Sequence, residues 1–405
     1  RRQRQMCIRD RISSIPENVR SGRVGRLPDR TPYPADSTAA GAARCDNRSV
    51  VDPALLEIPT GSVDVTAPVV IDGLSYVAHD DPAMPMYRVI ANNRQPVALR
   101  DLMIAPVRSG YIGDGHQPDP SLVPASGATA VPDVQVTTVY IPVRDGVARC
   151  ELYRPAGVDP DELLPVVVYY HGGGFTVGSS DDCDFLTRKI AHLNRTLVIS
   201  ANYRSAPEFP FPVPLDDAYD VLRWVFDNAS RVGGDARFVA VAGDSAGSNF
   251  AAALPLRCKD DGVRRPDAVV LLGAMVDFRF ERWPSFVEQA PRGIVYDTAF
   301  TGFIRGAYLP TTPWDHPYAS PIDGDLAGYP PTVIATGTHD PIIDSARAFA
   351  DRLDQAGTSV TSYFPAGMPH GFYFFPAVHP EEDVAYRIVA DALAPLIGAA
   401  TGADA

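Results

Sequence analysis

The sequence predicts an α/β fold: a mostly parallel, twisted sheet with helices on both faces and a cap region. Three observations predict it. Strand-like and helix-like segments take turns from about residue 130 to 400, and several strand segments are unbroken apolar, β-branched runs. The alternation has one long interruption, at about 277–329. Alternation of this kind builds a parallel sheet, because each crossover helix must pack back onto a face. Strands covered on both faces read as continuous apolar runs rather than as alternating ones.

In chain order, residues 134–141 alternate as a strand, and 147–153 form its hairpin partner across Arg144-Asp145-Gly146. Leu164–Tyr170 is apolar throughout, the mark of a strand buried on both faces. Helix is expected over 181–194, strand over 196–201, helix over 216–229 and strand over 238–242. Next come helix over 246–259, despite Pro255 within it, and strand over 268–275. After the interruption the order is strand 332–336, helix 344–356, strand 360–364 and helix 381–397. Residues 1–60 are expected to be a disordered extension, 61–130 an N-terminal cap segment, and 131–400 a catalytic domain holding the insertion. The insertion carries ten aromatic residues between positions 278 and 318, out of 37 in the whole chain. That density suits a small helical core whose apolar underside lines a substrate pocket.

Composition narrows the partners. Over 405 residues, 45% are hydrophobic and 21% charged, as in ordinary globular proteins. No apolar run approaches the roughly 18 residues of a membrane span, so none is expected. No apolar stretch follows the N-terminal arginines, so no secretory signal is expected either. The first 30 residues carry nine Arg against three acidic residues; the chain's net charge of −13 therefore leaves −19 on the rest. So acidic a body repels phosphate backbones and anionic membranes, which excludes nucleic acid as a partner. The five cysteines stand singly, with no CxxC pair and no spaced histidine. No zinc site or other metal is expected, and scattered thiols fit a cytoplasmic location.

The chemistry lies in four short motifs. Gly243-Asp244-Ser245-Ala246-Gly247 falls between a strand and a helix. There, flanking glycines relieve crowding at a sharp turn that lifts the serine clear of the sheet. His171-Gly172-Gly173-Gly174-Phe175 directly follows the buried strand ending at Tyr170. Three consecutive glycines cost conformational entropy and so need a reason; close backbone approach to a negatively charged oxygen is one. The N–H groups of Gly173 and Gly174, with that of Ala246, are the expected oxyanion hole. A serine nucleophile needs a base, and the base an orienting acid, in the chain order Ser, acid, His. His370, in a loop after the last predicted strand, is the base. The 339–344 stretch His-Asp-Pro-Ile-Ile-Asp offers two carboxylates. Asp340 lies in the loop, whereas Asp344 starts a helix and is expected to cap it, so Asp340 is the acid. Phe175, Trp283, Phe300 and Phe303 are expected to line the substrate site.

These residues carry a family resemblance. HGGGF at 171–175, YRSAPEFPFP at 203–212, GDSAG at 243–247, HDPIID at 339–344 and HGF at 370–372 together resemble the hormone-sensitive-lipase family of esterases, over roughly residues 135–400. The resemblance implies an α/β-hydrolase fold, a cap built from the N-terminal segment and the insertion, short- to medium-chain esters as substrates, and no cofactor. It gives the same triad and oxyanion donors, and a structural role for Glu208. Ser345 stands where the family usually has a charged residue, and the first 60 or so residues have no counterpart. The expectation is therefore a serine carboxylesterase whose partner is a small ester, with a homodimer left open. An amidase or thioesterase using the same triad is the alternative. A non-catalytic receptor of this family would lack the working histidine, and His370 is present.

Overall fold

The computed structural model describes residues 69–71, 74–76, 133–290, 296–374 and 381–402. The chain divides into two units, 1–63 and 64–405, and every described residue lies in the second. The expected 1–60 extension falls outside the described residues. Of the 61–130 segment only a short antiparallel pair is described, β1 (Val69–Ile71) with β2 (Leu74–Tyr76).

The remaining strands form one eight-stranded sheet. In chain order they are β3 (Val134–Val143), β4 (Gly146–Pro155), β5 (Leu164–Tyr170), β6 (Leu197–Ala201), β7 (Gly234–Asp244), β8 (Ala268–Leu272), β9 (Thr332–Ala335) and β10 (Val360–Tyr363). Across the sheet the order is β10-β9-β8-β7-β5-β6-β4-β3. The β3–β4 hairpin and the β4–β6 pair are antiparallel, and the other pairs are parallel. Seven α-helices are described: α1 (Asp184–Asn194), α2 (Val213–Asn228), α3 (Ala246–Asp260), α4 (Pro284–Gln289), α5 (Thr298–Tyr308), α6 (Ile343–Gln355) and α7 (Glu381–Thr401).

The two-residue period of the central strands sorts their side chains into two cores. Val166, Val168 and Tyr170 of β5, with Val239, Val241, Val269 and Leu271 of β7 and β8, face the larger core with α2, α3 and α6. Val167, Tyr169, Phe238, Ala240, Ala242, Val270 and Leu272 face the other, beneath α1 and α7. Every residue of β8 is buried, as a strand covered on both faces requires. Helix α3 keeps its register through Pro255, being buried nearly all round, so packing outweighs the local cost of a helical proline. Helix α2 begins three residues earlier than expected because Pro214 sits in its first turn, where a missing N–H costs nothing. Helix α7 is long and apolar enough, by length and composition alone, to cross a membrane. One face of it buries Ala385, Tyr386, Val389 and Leu393 in the second core.

The chain returns through the sheet so that the loops after β5, β7, β8, β9 and β10 all leave at the carboxyl ends of parallel strands. Sites form there, where successive connections part to opposite sides, as they do around β5 and β7. The insertion between β8 and β9 is helical, containing α4 and α5.

One buried ion pair joins the two helices of the second core. Lys189 Nζ of α1 lies 2.7 Å and 2.9 Å from the two carboxylate oxygens of Glu382 in α7, and both side chains are almost fully buried. Removing one partner of such a pair strands the other charge in a dry site, so Lys189→Met should lower stability by about 3–5 kcal/mol. Pairing it with Glu382→Leu should recover much of that loss. Urea unfolding of both variants checks this, and a double variant no more stable than Lys189→Met would overturn it.

Candidate active site

Strand β7 ends at Asp244, and α3 begins at Ala246; Ser245 is the single residue of the turn, with φ 50° and ψ −115°. A non-glycine residue at positive φ is strained, and close packing holds it there. A side chain on Gly247 would bring its Cβ within 1.9 Å of the Tyr170 carbonyl oxygen, and one on Gly243 would meet the Gly247 carbonyl at 2.4 Å. Glycine is required at both positions for α3 to begin directly over the end of β5. Ser245 N donates to Leu272 O of β8 (2.8 Å), which fixes the turn across the neighbouring strand.

Three side chains from separate loops meet at this turn. His370 Nε2 lies 3.0 Å from Ser245 Oγ, and its Nδ1 lies 2.7 Å from Asp340 Oδ2. The other Asp340 oxygen accepts from Ile342 N at 3.1 Å. Asp340 is fully buried, while Ser245 and His370 keep 8% and 6% of their surface exposed. A buried carboxylate on Nδ1 places the ring proton there and leaves Nε2 as an acceptor for the serine hydroxyl.

The glycine loop stands beside the turn. Gly172 N donates to Asp244 Oδ1 (2.9 Å), which also accepts from Tyr169 OH (2.7 Å) and from Cys183 Sγ (3.5 Å). Burial pushes the Asp244 carboxyl up to about 6, against these hydrogen bonds. His171 stacks on Tyr203 with ring centroids 4.2 Å apart. Burial lowers it to about 4, so the ring is neutral near pH 7. Gly173 and Gly174 take φ of +115° and +59°. Among the described residues, the N–H groups of Gly173, Gly174 and Ala246 donate to no backbone acceptor outside the helices and strands. Ala246 N opens α3, where the helix dipole adds partial positive charge.

The four expected substrate contacts part ways. Phe300 stands by the site: a Cβ on Gly174 would touch its ring tip at 2.9 Å. Phe175 does not fit the expectation. It is fully buried and stacks on Tyr308 at 4.0 Å, so it presents no surface to a ligand. Trp283 donates from Nε1 to Asp277 Oδ2 (3.0 Å) and lies under Arg282, while Phe303 packs on the larger core. Asp344 also departs from its expected role. Ile342, not Asp344, caps α6, and Asp344 Oδ2 accepts from Ser285 N (2.8 Å) at the start of α4. Glu208 is exposed in its loop.

The sequence reading missed Tyr296, one residue before α5's N-cap. Its hydroxyl lies 3.1 Å from Ser245 Oγ, and its ring meets that of His370 edge-on at 4.6 Å. The crowding of aromatics in the insertion was the one available signal, and it does not distinguish Tyr296 from its neighbours.

Sheet order and the glycine-flanked turn define an α/β hydrolase. A family model described as alpha/beta hydrolase fold matches residues 167–374, just over half of the chain. A carboxylesterase of Mycobacterium tuberculosis, NlhH, is 39% identical over 227 residues, which span 54% of this chain and 69% of that protein. An ethyl acetate hydrolase of Pseudomonas putida is 32% identical over 273 residues, 66% of this chain and 85% of that protein. Among solved structures, an esterase of Pyrobaculum calidifontis superposes with a TM-score of 0.66 at 32% identity, covering 77% of this chain and 98% of that one. The chain belongs to the hormone-sensitive-lipase-like family of α/β-hydrolase esterases and is a carboxylic ester hydrolase.

The two candidate acids separate by experiment. Asp340→Asn should cost about 10⁴ in turnover at nearly unchanged stability, because the imidazole loses its orienting charge. Asp344→Ala should leave Ser285 N at the start of α4 without its acceptor, a loss of about 1–3 kcal/mol, while turnover stays within a few-fold. Steady-state rates and melting curves of the two variants check this; the reverse pattern would reassign the acid.

Proposed function

We propose that the protein is a serine carboxylesterase that hydrolyses short- to medium-chain acyl esters through a covalent acyl-enzyme. The observation that carries this is the unbroken hydrogen-bonded chain from Ser245 Oγ through His370 to the buried Asp340, at 3.0 Å and 2.7 Å. In this reading His370 Nε2 takes the serine proton as Oγ bonds to the ester carbonyl carbon. Asp340 holds the tautomer and stabilises the imidazolium. The N–H groups of Gly173, Gly174 and Ala246 are aimed at the oxygen that becomes negative. The tetrahedral intermediate then expels the alcohol, which takes the proton from Nε2. Water repeats the cycle on the acyl-serine and frees the acid.

Names of the relatives, a carboxylesterase and an ethyl acetate hydrolase, support small esters as substrates. Phe300 against the oxyanion loop supports an apolar acyl site of limited depth. Buried free thiols at Cys150, Cys183 and Cys258 are consistent with the cytoplasmic expectation. The engaged His370 speaks against a non-catalytic receptor.

Ser245→Ala should leave the melting temperature nearly unchanged and lower turnover by about 10⁴–10⁶. A fluorophosphonate should label Ser245 in the wild type and nothing in the variant. Over a series of p-nitrophenyl esters, rates should peak at short to medium acyl chains. Residual turnover above a tenth of wild type in Ser245→Ala, or a maximum at long chains, would refute the respective part.

A further inference from the structure

Tyr296 is contributed by the insertion, not by the sheet that carries Ser245, Asp340 and His370. The next residue, Asp297, caps α5 by accepting from Phe300 N at 2.6 Å, so the chain direction at Tyr296 is fixed. The ring is buried, edge-on to His370 at 4.6 Å and to Phe300 at 5.6 Å. Its hydroxyl has two polar neighbours, Ser245 Oγ at 3.1 Å and Met275 Sδ at 3.5 Å.

Counting protons settles which group donates. With Asp340 on Nδ1, the His370 ring proton is there, and Nε2 accepts the only proton that Ser245 carries. Oγ therefore has lone pairs alone to offer Tyr296. Burial raises the phenol above its ordinary value, so it keeps its proton. A thioether is a weak acceptor. The phenol thus donates to Ser245 Oγ in the resting enzyme.

That bond alone would slow catalysis, since it stabilises the nucleophile before attack. It changes once Oγ has bonded to the carbonyl carbon, because one of its lone pairs becomes that bond and an ether-type oxygen is a poorer acceptor than a serine hydroxyl polarised by an imidazole. The phenol proton is then available to another oxygen close by. One must be present: the leaving oxygen has to come within hydrogen-bond distance of His370 Nε2 to take its proton, and Tyr296 packs against that ring at 4.6 Å.

We infer that Tyr296 is a further catalytic residue, whose hydroxyl passes its hydrogen bond from Ser245 Oγ to the departing alcohol oxygen. This rests on the triad reading above. As the carbon–oxygen bond breaks, its electron pair goes to the alcohol oxygen and the Nε2 proton follows it. The oxyanion re-forms the carbonyl, and Tyr296 retains its own proton throughout. The group matters most when the leaving alcohol is a strong base, as in alkyl esters. It matters least for nitrophenolate, which departs without help.

Tyr296→Phe removes the hydroxyl and keeps the ring against His370. The measurement is kcat/KM for acetate esters of alcohols of rising basicity, from p-nitrophenol to ethanol. All share one acyl-enzyme, so kcat/KM reports acylation alone. Loss of a hydrogen-bond donor to developing charge should slow ethyl acetate by about 10²-fold, with p-nitrophenyl acetate within about three-fold of wild type. Full fluorophosphonate labelling and an unchanged melting temperature would show that the triad and fold are intact. An equal fall for every alcohol would mean that Tyr296 only positions His370, and no fall at all would mean that it does neither; either overturns the inference. Continued hydrolysis by Ser245→Ala would instead overturn the triad reading, so the two failures are distinguishable.

Discussion

Helix α3 meets the end of β5 backbone to backbone, and the rest of the site hangs on that approach. Where Gly247 passes the Tyr170 carbonyl there is no room for a methyl group, and at Gly243 there is none on the other side of the turn. The chain between them must reverse in one residue, so Ser245 is forced to φ 50° and its side chain stands clear of the sheet. The strain is offset by burial of α3 along nearly its whole length and by the bond from Ser245 N to β8. The same approach brings the glycine loop after β5 alongside the helix N-terminus. Ser245 and the prospective oxyanion donors thus take their spacing from one contact.

Asp244 makes that spacing firm. Its carboxylate sits between β7 and the loop after β5, accepting from Gly172 N and from Tyr169 OH. Its second oxygen has no described hydrogen-bond partner, and a side chain on Gly172 would fall 2.2 Å from it. Burial raises its pKa to about 6, above the ordinary carboxylate value. Folding therefore favours the protonated form, and Asp244 weakens the folded state as pH rises from the unfolded value through about 6. Such a residue serves geometry rather than stability, and here the geometry is that of the glycine loop after β5.

How much of this was legible in the sequence follows from how local each determinant is. The strand–turn–helix around Ser245 is written in five consecutive residues, and the order of strands and helices in the periodicity. Element boundaries then shifted by a few residues, as with α2 and Pro214. Determinants that depend on contact between distant segments were not legible. Tyr296 and Ser245 are 51 positions apart and share no motif. Asp344 has the look of a helix cap, yet the turn at Asp340 already aligns the chain, so Ile342 takes the cap position and the carboxylate serves another helix. Phe175 adjoins the three glycines, but its φ of 64° turns the ring into the core.

The insertion is tied to the loops that carry Ser245 and Asp340, which is why it can place a hydroxyl beside Ser245. Asn249, one turn along α3 from Ser245, donates to Met275 O and to Ala319 O, one at each end of the excursion. Ser285 of α4 donates from Oγ to the carbonyl of Pro341, next to Asp340, and from its N–H to Asp344. Within the insertion, buried Asp277 gathers Arg279, Arg282 and Trp283. A shift of the insertion would therefore pull on the loop that carries Asp340, and a shift of that loop would move α4. Contacts shared in this way make the position of Tyr296 depend on the parts that position Asp340, and through Asp340 on His370. The scaffold and the insertion are best regarded as one mechanical unit around Ser245, not as a finished site with a cover laid over it.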